Sequence, residues 1–250
     1  MKSLKTIMFA ILIFTAFACT KNQVGGSGQV NFEVNADADL VEVTKSNVSD
    51  YTDLPSAGDF NITVLDASSA LVYSGKISEW DSEQKLLAGE YSVTATYSSI
   101  EVEGFDKPCF KGTTSFAIAG GKVTDVKINV SLANTVVKVA CTDSFKKYYK
   151  DYTFSIVRDG ASIVTFAKGE TKAAFVDGYK FTLSGDITPH QPAPGVQVAN
   201  KTFTKDYSNL NEATAYTFLF DAGNVGGATI TVTFNDTVEI IDLKDFEINE

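Results

Sequence analysis

The sequence predicts an all-β protein, and three observations carry that prediction. Apolar residues alternate with polar ones in one short run after another, which is the period of a half-buried strand. Turn-forming pairs such as Asp159 with Gly160 and Gly226 with Gly227 separate these runs. No stretch keeps a helical period for more than about two turns. A chain built in this way packs sheets against each other.

The predicted strands follow one another along the chain. In the first of them, Val30, Phe32 and Val34 alternate with Asn31 and Glu33, so one face is apolar and the other polar. The alternating runs lie at 29–34, 60–64, 91–95, 126–130, 137–141, 154–156 and 230–234. Each run is long enough to cross a sheet and too short for a helix of ordinary length.

The chain also repeats itself. The segment DFNITVLDASSALVYSG (59–75) aligns with DYTFSIVRDGASIVTFAKG (151–169) at an offset of 92 residues. LLAGEYSVTA then aligns with FVDGYKFTLS, with Gly89 on Gly178, and DVKINVSLAN (125–134) aligns with AYTFLFDAGN (215–224). Three blocks in the same order predict two tandem copies of about 95 residues. Their strand spacing indicates seven-stranded or similar sandwiches of the immunoglobulin-like kind.

The repeat predicts where the domains begin and end. We expect an N-terminal β-sandwich at 30–132 and a C-terminal β-sandwich at 133–250. The segment GGATITVTFND (226–236) resembles TVVKVACTD (135–143), which opens the second copy. We therefore expect the strand after Asn134, and the strand after Asn224, either to close the preceding sheet or to bridge the two domains.

The N-terminus has the layout of a secretory signal peptide, predicted at 1–18. Lys2 and Lys5 precede an uncharged run at 6–18, and small residues stand just before Cys19. The run is too short for a helix that crosses about 30 Å of hydrocarbon, which needs roughly 20 apolar residues. A spanning anchor is not expected.

Cys19 is the predicted lipid attachment site. The quartet Ala16, Phe17, Ala18 and Cys19 resembles a relaxed bacterial lipobox, in which the cysteine becomes the first mature residue and carries acyl chains such as palmitate. Several chains hold a folded domain on a membrane, since each buried methylene contributes about 0.8 kcal/mol. The glycine-rich remainder of 19–29 is then a flexible tether. The alternative is an ordinary cleaved signal with Cys19 as an incidental thiol.

The charge balance excludes one class of partner. Removing 1–18 takes away two lysines and no acid, so 19 basic and 31 acidic residues remain and the net charge falls to −12. Nucleic acid and anionic lipid surfaces attract clustered Lys and Arg. We therefore expect no nucleic-acid partner and a membrane contact made through the lipid anchor.

The sequence offers no set of residues for catalysis or metal binding. The one histidine, His190, lies among prolines in TPHQPAPG and is interpreted as a loop residue. HExxH, CxxC and GxSxG do not occur. Asn35, Asp37 and Asp39 resemble the start of a calcium loop, but the glycine and the closing glutamate of such a loop are missing. We predict no enzyme activity, no metal and no cofactor.

A few side chains are candidates for binding or pairing. Trp80 and the adjacent Tyr148 and Tyr149 offer ring faces for sugars, although aromatic residues in sandwiches also fill cores. Cys109 and Cys141 form a disulfide in an oxidising compartment or stay as two separate thiols, and both alternatives remain open.

Long segments of the chain resemble the fimbrillin-like, cell-adhesion lipoproteins of Bacteroidetes. The resemblance lies in the lipobox cysteine, the tandem sandwiches and the phrases LLAGEYSVTATY, GFDKPCFKGTTSFAIAGGKVTDVKINVSLANTVVKV and TVTFNDTVEIIDLKDFEIN. It implies transthyretin-like sandwiches exported as an outer-membrane lipoprotein for surface adhesion or fimbria-like assembly. The implied partners are other fimbrial subunits. A glycan-binding accessory lipoprotein is the alternative, with surface glycans as partners.

The sequence differs from that family in a few features, and these differences narrow the role that the resemblance implies. Polymerising fimbrillins are cleaved after an arginine near the mature N-terminus, whereas the one arginine of this chain is Arg158. The resemblance therefore implies an anchor, an accessory subunit or a standalone adhesin. Thr20 and Lys21 follow the cysteine where surface-exposed relatives carry acids, so a periplasm-facing position stays open beside the cell surface. Asp236, Thr237 and Val238 resemble an O-glycosylation signal on Thr237.

Overall fold

The computed structural model describes residues 25–36, 47–190, 199–222, 229–234 and 237–242, with the backbone alone described in the last two ranges. Most of these residues lie in strands. Eight strands precede residue 133 and are called the first half: β1 Ser27–Ala36, β2 Asn61–Asp66, β3 Leu71–Lys76, β4 Leu86–Leu87, β5 Gly89–Tyr97, β6 Gly104–Phe105, β7 Phe110–Ile118 and β8 Val123–Leu132.

The strands after residue 134 are called the second half. They are β9 Thr135–Cys141, β10 Tyr149–Arg158, β11 Ala161–Ala167, β12 Ala174–Val176, β13 Lys180–Pro189, β14 Lys201–Ser208, β15 Ala215–Ala222, β16 Thr229–Phe234 and β17 Thr237–Asp242. Short 3-10 helices lie at Val48–Asp50, Ala57–Asp59 and Ile77–Glu79. The all-β prediction is confirmed.

One short α-helix, α1, spans Asp143–Tyr148 between β9 and β10. The Thr142 side chain caps it by accepting a hydrogen bond from the Phe145 backbone N–H at 3.1 Å. Phe145 is fully buried, so the turn is held by the core as well as by its cap. A helix of this length leaves no extended helical period for sequence reading to detect.

The alternating pattern decides which face of each strand is buried. In β8, Val126, Ile128 and Val130 are buried while Lys127 and Asn129 between them are exposed. Successive side chains of a strand point to opposite faces, so an apolar residue at every second position gives one core face. The period-two prediction for 126–130 is therefore confirmed.

The first half forms one continuous sheet that folds back on itself. Its hydrogen-bonded order is β3-β2-β5-β7-β8-β1-β4, with β1 parallel to β8. β7 and β8 pair only at Phe110 with Leu132 and at Lys111 with Ser131, so the two parts separate beyond this corner. A Cβ at Gly112 would lie 2.0 Å from the Asn129 carbonyl oxygen, which requires glycine where the two strands come close.

The second half repeats this arrangement. One sheet has the order β11-β10-β13-β14, matching β3-β2-β5-β7, and the other contains β15-β9-β12, matching β8-β1-β4. β9 is parallel to β15, as β1 is to β8. The aligned residues Ile62 and Phe154 are both fully buried, in β2 and β10. The repeat seen in the sequence is thus a repeat of strand order.

Two additions distinguish the second half. β6, from the first half, joins the edge of its larger sheet by pairing with β12, and β16 and β17 extend the opposite edge beyond β15. β9 pairs within this sheet, but its Val136 packs in the core of the first half. The strand after Asn134 therefore bridges the halves, while β16, the strand after Asn224, joins the sheet that precedes it and is followed there by β17. The sequence left both possibilities open.

Two hydrophobic clusters of buried residues fill the protein. The first contains apolar residues of β1, β2, β5, β7 and β8, together with Ala173 and Phe175 from the second half. The other is made by residues from β9 onward, including Phe154, Phe218 and Phe220. Side chains of the second half complete the first cluster, so the two clusters do not divide the chain at a single residue. The domain limits of 30–132 and 133–250 therefore stay predictions.

Asn134 joins the halves at the junction. It is fully buried; its Oδ1 accepts from the Cys109 backbone N–H, and its backbone carbonyl accepts from the Ala213 N–H at 2.9 Å. These bonds tie the turn between β8 and β9 to one segment of each half. Its Nδ2 has no hydrogen-bond partner among the described residues. In the described ranges, every helix is too short or too polar to span a membrane.

Candidate functional site

Trp80 closes the edge of β1 in the first half. Its Nε1–H donates to the Val30 carbonyl at 3.0 Å, and its ring makes edge contacts with Phe32 and Tyr73 at centroid distances of 5.1 and 5.0 Å. The side chain is half-buried. The donor that a sugar hydroxyl would use is therefore engaged within the protein, and the proposed glycan contact at Trp80 has only part of the ring available.

The neighbouring tyrosines point in different directions. Tyr149 is 1% exposed and packs on Phe145 with ring centroids 4.6 Å apart, whereas Tyr148 is 41% exposed. They part because Tyr148 ends α1 and Tyr149 begins β10. The expectation that both tyrosines offer ring faces is corrected here: the Tyr149 ring is enclosed in the core and has no face for a ligand, so Tyr148 is the candidate of this pair that remains beside Trp80.

The two cysteines are free thiols. Cys109 is buried and Cys141 is half-buried, with no disulfide between them. Burial raises the pKa of Cys109, and it raises the pKa of Cys141 to about 11 against the smaller, opposing effect of a hydrogen bond with Tyr152. Both side chains are protonated at neutral pH and neither is an activated nucleophile.

A cavity of about 290 Å³ lies in the second half, and we call it the β9 groove. The aromatic residues Tyr152, Phe154 and Phe166 line it, and so does Cys141. The remaining wall is the connection that leaves β11 and crosses towards β12. The full lining is Lys138, Val139, Ala140, Cys141, Lys146, Tyr152, Phe154, Phe166, Ala167, Gly169, Glu170 and Thr171.

The groove exists because β12 is shorter than β9. β12 pairs with Thr135, Val136 and Val137 only, so the rest of β9 has no neighbour of the described chain on that side. On the other side, the Val136 N–H donates to Thr214 and the Thr142 N–H donates to Phe220, each at 2.9 Å. Backbone groups of a strand alternate between its two sides.

That alternation decides which groups of β9 face the groove. The even-numbered residues bond to β15, so the N–H and C=O of Val139 and Cys141 point away from β15 and towards the groove. They form a short edge of donors and acceptors with no strand of the described chain opposite, beside aromatic side chains that are only 1–7% exposed. The sequence did not predict this site. The edge is open because β12 is short, and a strand of three residues has no clear pattern of alternation.

Lysines surround the groove. Lys138 and Lys146 line it, and the Lys168 ammonium lies 5.9 Å from the centre of the Tyr152 ring. Glu170 is the acid of the lining, and Asp143 stands 3.6 Å from Lys146 in an exposed pair. With Asp151, whose charge acts on Tyr152, three cations stand against three anions, so the surroundings of the groove have no net charge.

A second polar cluster joins the halves and was also missed from the sequence. Arg158, at the end of β10, forms an ion pair with Glu103, and its Nε and second amino group donate to the carbonyls of Lys180 and Asp177 at 3.0 and 2.8 Å. Glu103 accepts in turn from the Asp177 N–H at 2.6 Å. We call this set the Arg158 clamp.

The other sequence predictions fall in different places. Cys19, Asp37, Asp39 and Asp236 lie outside the described residues, and of Thr237 only the backbone, at the start of β17, is described. The His190 N–H donates to the Tyr148 carbonyl at 2.9 Å. In the described ranges no three His, Cys, Asp or Glu side chains gather as a metal site.

Comparison with known proteins connects the chain to one family. A family model described as "Domain of unknown function (DUF4493)" matches residues 26–250, which is nearly all of the chain beyond the predicted signal and tether. No curated protein matches the chain.

Several solved structures are similar to this chain. They include a fimbrial assembly protein from Parabacteroides distasonis, at 10% identity and a TM-score of 0.47, with 86% of this chain and 99% of that chain covered. The fimbrial anchor protein from Porphyromonas gingivalis has 12% identity and a TM-score of 0.43, covering 86% and 98%. A candidate polysaccharide-binding protein from Bacteroides thetaiotaomicron has 11% identity and a TM-score of 0.44, covering 87% and 98%.

Proposed function

Because the chain belongs to the family described as "Domain of unknown function (DUF4493)", whose role is open, we propose that it is an outer-membrane lipoprotein that acts in cell adhesion or fimbria-like assembly. It is a structural and binding protein rather than an enzyme. An anchor, an accessory subunit or a standalone adhesin fits the absence of an arginine before Arg158.

One observation carries this proposal: the segments that resemble fimbrillin-like lipoproteins are the framework of the fold. LLAGEYSVTATY contains β4 and β5, and the long phrase 104–139 runs from β6 through β8 into β9. It therefore includes the junction at Asn134 and the short strand that joins the halves. The named roles of the fimbrial relatives agree with this resemblance.

Lipid attachment at Cys19 is part of the proposal and has a direct test. Cells grown with an alkyne analogue of palmitate should label the wild-type protein, and Cys19→Ala should lose both the label and membrane association. The matched control is Cys109→Ala, whose thiol is buried in the fold. A labelled Cys19→Ala protein would contradict the anchor.

The adhesive role is tested in the native bacterium. Deleting the gene should lower the number of cells that attach to a surface or to host cells, and the wild-type gene should restore it. Protease treatment of intact cells decides which way the domains face, since periplasmic domains are protected. Unchanged attachment together with unchanged fimbriae under the electron microscope would contradict the proposal.

A glycan-binding accessory lipoprotein is the second candidate, and the exposed ring of Tyr148 favours it. A glycan array with the wild-type protein, Tyr148→Ala and Trp80→Ala separates the two residues. Loss of a sugar signal in Tyr148→Ala supports this role. A sugar signal that is unchanged in both variants, or no signal at all, counts against it.

A further inference from the structure

We propose that one end of the first half docks on the membrane that holds the lipid anchor, with the aliphatic side chains of Leu71, Leu87 and Val123 inserted among the lipid headgroups. This inference rests on the lipid attachment proposed at Cys19 and adds a second, non-covalent contact to it. It does not depend on which side of the membrane the domains lie, because the anchor and this end stay on the same side.

Three exposed aliphatic side chains carry the first argument. Leu87, Leu71 and Val123 are 75%, 64% and 57% exposed, more than any other large aliphatic side chain of the described residues. Single exposed apolar residues are common on protein surfaces and need no explanation. Three of them at one end of a sandwich together leave apolar area in water, which indicates that this end has a partner.

Leu87 and Val123 flank the start of β1. Leu87 of β4 pairs with Ser27, and Val123 of β8 pairs with Gln29. Leu86 is buried, so the alternation of side chains turns Leu87 to the outer face of the sheet, and the same alternation in β8 turns Val123 outward. The two side chains therefore lie on one face, on either side of β1.

Leu71 brings the other side of the sandwich to the same end. It begins β3, directly after the turn that follows β2, and Asp66 at the end of β2 pairs with Tyr91 near the start of β5. The Tyr91 hydroxyl donates to the Leu87 carbonyl at 2.8 Å, which joins the two sides here. The opposite end of the first half is marked by Tyr97, where β5 stops.

The chain enters the fold at this end. The Gly26 carbonyl accepts from the Ala88 N–H at 2.8 Å, and the Ser27 carbonyl accepts from the Gly121 N–H at 2.9 Å. The backbone that enters β1 is therefore fixed between the residue after β4 and the turn before β8. We use the name entry end for residues 26–28, 67–71, 87–89 and 119–123.

The position of the lipid attachment site selects the membrane as the occupant. Cys19 stands six residues before Gly25, and six residues span at most about 20 Å. The entry end is thus held within that distance of the lipid headgroups, while the other end of the ten-residue strand β1 lies about 30 Å from it. The anchor gives the bilayer a high effective concentration at this surface, so a contact of a few aliphatic side chains suffices.

The charges of the entry end do not favour an electrostatic contact. Lys85 and Lys122 stand near it, and both are exposed. The nearby acids are Asp66, Glu90 and Asp125. Two cations against three anions give no attraction to anionic lipid. The contact is apolar, so it should form on zwitterionic vesicles and persist when the salt concentration is raised.

The test uses the full lipidated chain, purified in detergent and reconstituted in phosphatidylcholine vesicles. An environment-sensitive fluorophore is attached at Ala119→Cys in the entry end, or at Ser99→Cys just beyond the opposite end, and both positions are exposed. Cys109 and Cys141 have raised pKa values, so they compete little for the reagent. Lipids that carry a nitroxide near the headgroup should quench the first label by about half and leave the second nearly unchanged. Equal quenching of the two labels, or none, overturns the proposal.

Matched pairs of variants assign the contact to the aliphatic side chains. Leu87→Glu with Val123→Glu should reduce quenching at position 119 to the level at position 99, because a carboxylate is costly to remove from water. The control, Leu54→Glu with Val102→Glu, makes the same change at exposed residues in the connections before β2 and after β5 and should leave the quenching unchanged. Thermal unfolding shows that each variant is folded. Equal quenching in the two pairs of variants overturns the proposal.

Two further results separate this contact from the anchor and from other partners. Wild-type protein that floats with the vesicles but shows no quenching retains the anchor and excludes the docking. Protein that does not float contradicts the anchor at Cys19 and the docking with it. A blue shift of the label at Ala119→Cys without nitroxide quenching assigns the entry end to a protein partner or a second copy of the chain, and it overturns the proposal.

Discussion

Glu103 and Arg158 form an ion pair between the two halves of the protein, and the Glu103 side chain is only 5% exposed in it. Glu103 lies just before β6, the strand that joins the larger sheet of the second half, and Arg158 ends β10. The pair therefore holds the segment that carries β6 in its position beside β12.

We predict that Arg158→Ala lowers the free energy of unfolding by about 3 kcal/mol, because it leaves the buried Glu103 carboxylate without its cation. The single tryptophan, Trp80, reports on the first half by fluorescence, and far-UV circular dichroism reports on both halves. The two transitions should coincide in the wild type and separate in the variant.

The matched control for the clamp is Lys172→Ala. Lys172, in the connection between β11 and β12, pairs with Asp106, which directly follows β6. The two side chains are 57% and 49% exposed, so removal of Lys172 should cost less than about 0.5 kcal/mol. Equal losses in the two variants would show that burial of Glu103 has no part in the effect.

Trp80 gives a second prediction about stability. Trp80→Phe removes the hydrogen bond to the Val30 carbonyl and keeps a ring, so it should cost about 1 kcal/mol, whereas Trp80→Ala also removes the contacts with Phe32 and Tyr73 and should cost about 3 kcal/mol. Urea unfolding followed by circular dichroism measures both. Leu71→Ala, at a side chain that is 64% exposed, is the control and should be nearly neutral.

Gly112 should not tolerate a side chain. The Cβ of Gly112→Ala would lie 2.0 Å from the Asn129 carbonyl oxygen, so β7 and β8 must move apart, at a cost of about 3 kcal/mol. Gly89→Ala meets no atom within 4 Å and is the matched control. The midpoint of thermal unfolding should fall for the first variant only, and a drop of the same size for both would contradict the clash.

Cys141 should react slowly with alkylating reagents. With its pKa raised to about 11, roughly one thiol in a thousand is ionised at pH 8, and the rate should rise with pH up to about 11. Tyr152→Phe removes a hydrogen bond that lowers this pKa, so it should slow the reaction further. Mass spectrometry of digested protein separates Cys141 from Cys109; a faster reaction in the variant would reverse the assigned sign.

The same thiol makes stability depend on alkaline pH. Its pKa is raised above the unfolded value of 9.0, so the folded state favours the protonated form. The contribution of this thiol to the free energy of unfolding is complete below pH 9 and is lost as the pH rises through 11. Cys141→Ser lacks this thiol. Between pH 9 and pH 11, its free energy of unfolding should therefore fall less than that of the wild type.

Local patterns of the sequence predicted much of the fold and less of the site. Alternation at 126–130 identified β8 and its buried face, and the aligned residues Ile62 and Phe154 identified the repeat, because both follow from side chains within one strand. Tyr149 was grouped with Tyr148 because adjacent letters do not tell which ring enters the core. The Arg158 clamp and the β9 groove have partners that lie tens of residues apart, so no local pattern records them.

By itself, the sequence determined that this is an all-β chain with two repeats and an acidic charge, and it predicted an N-terminus of the exported lipoprotein type. Composition and short-range periodicity suffice for those properties. Only the tertiary structure decided that Trp80 covers an edge in the first half while β9 keeps part of its edge open in the second. Strand pairing depends on where each partner strand begins and ends. β12 begins at Ala174, opposite Val137, so Val139 and Cys141 face the groove and not a neighbouring strand.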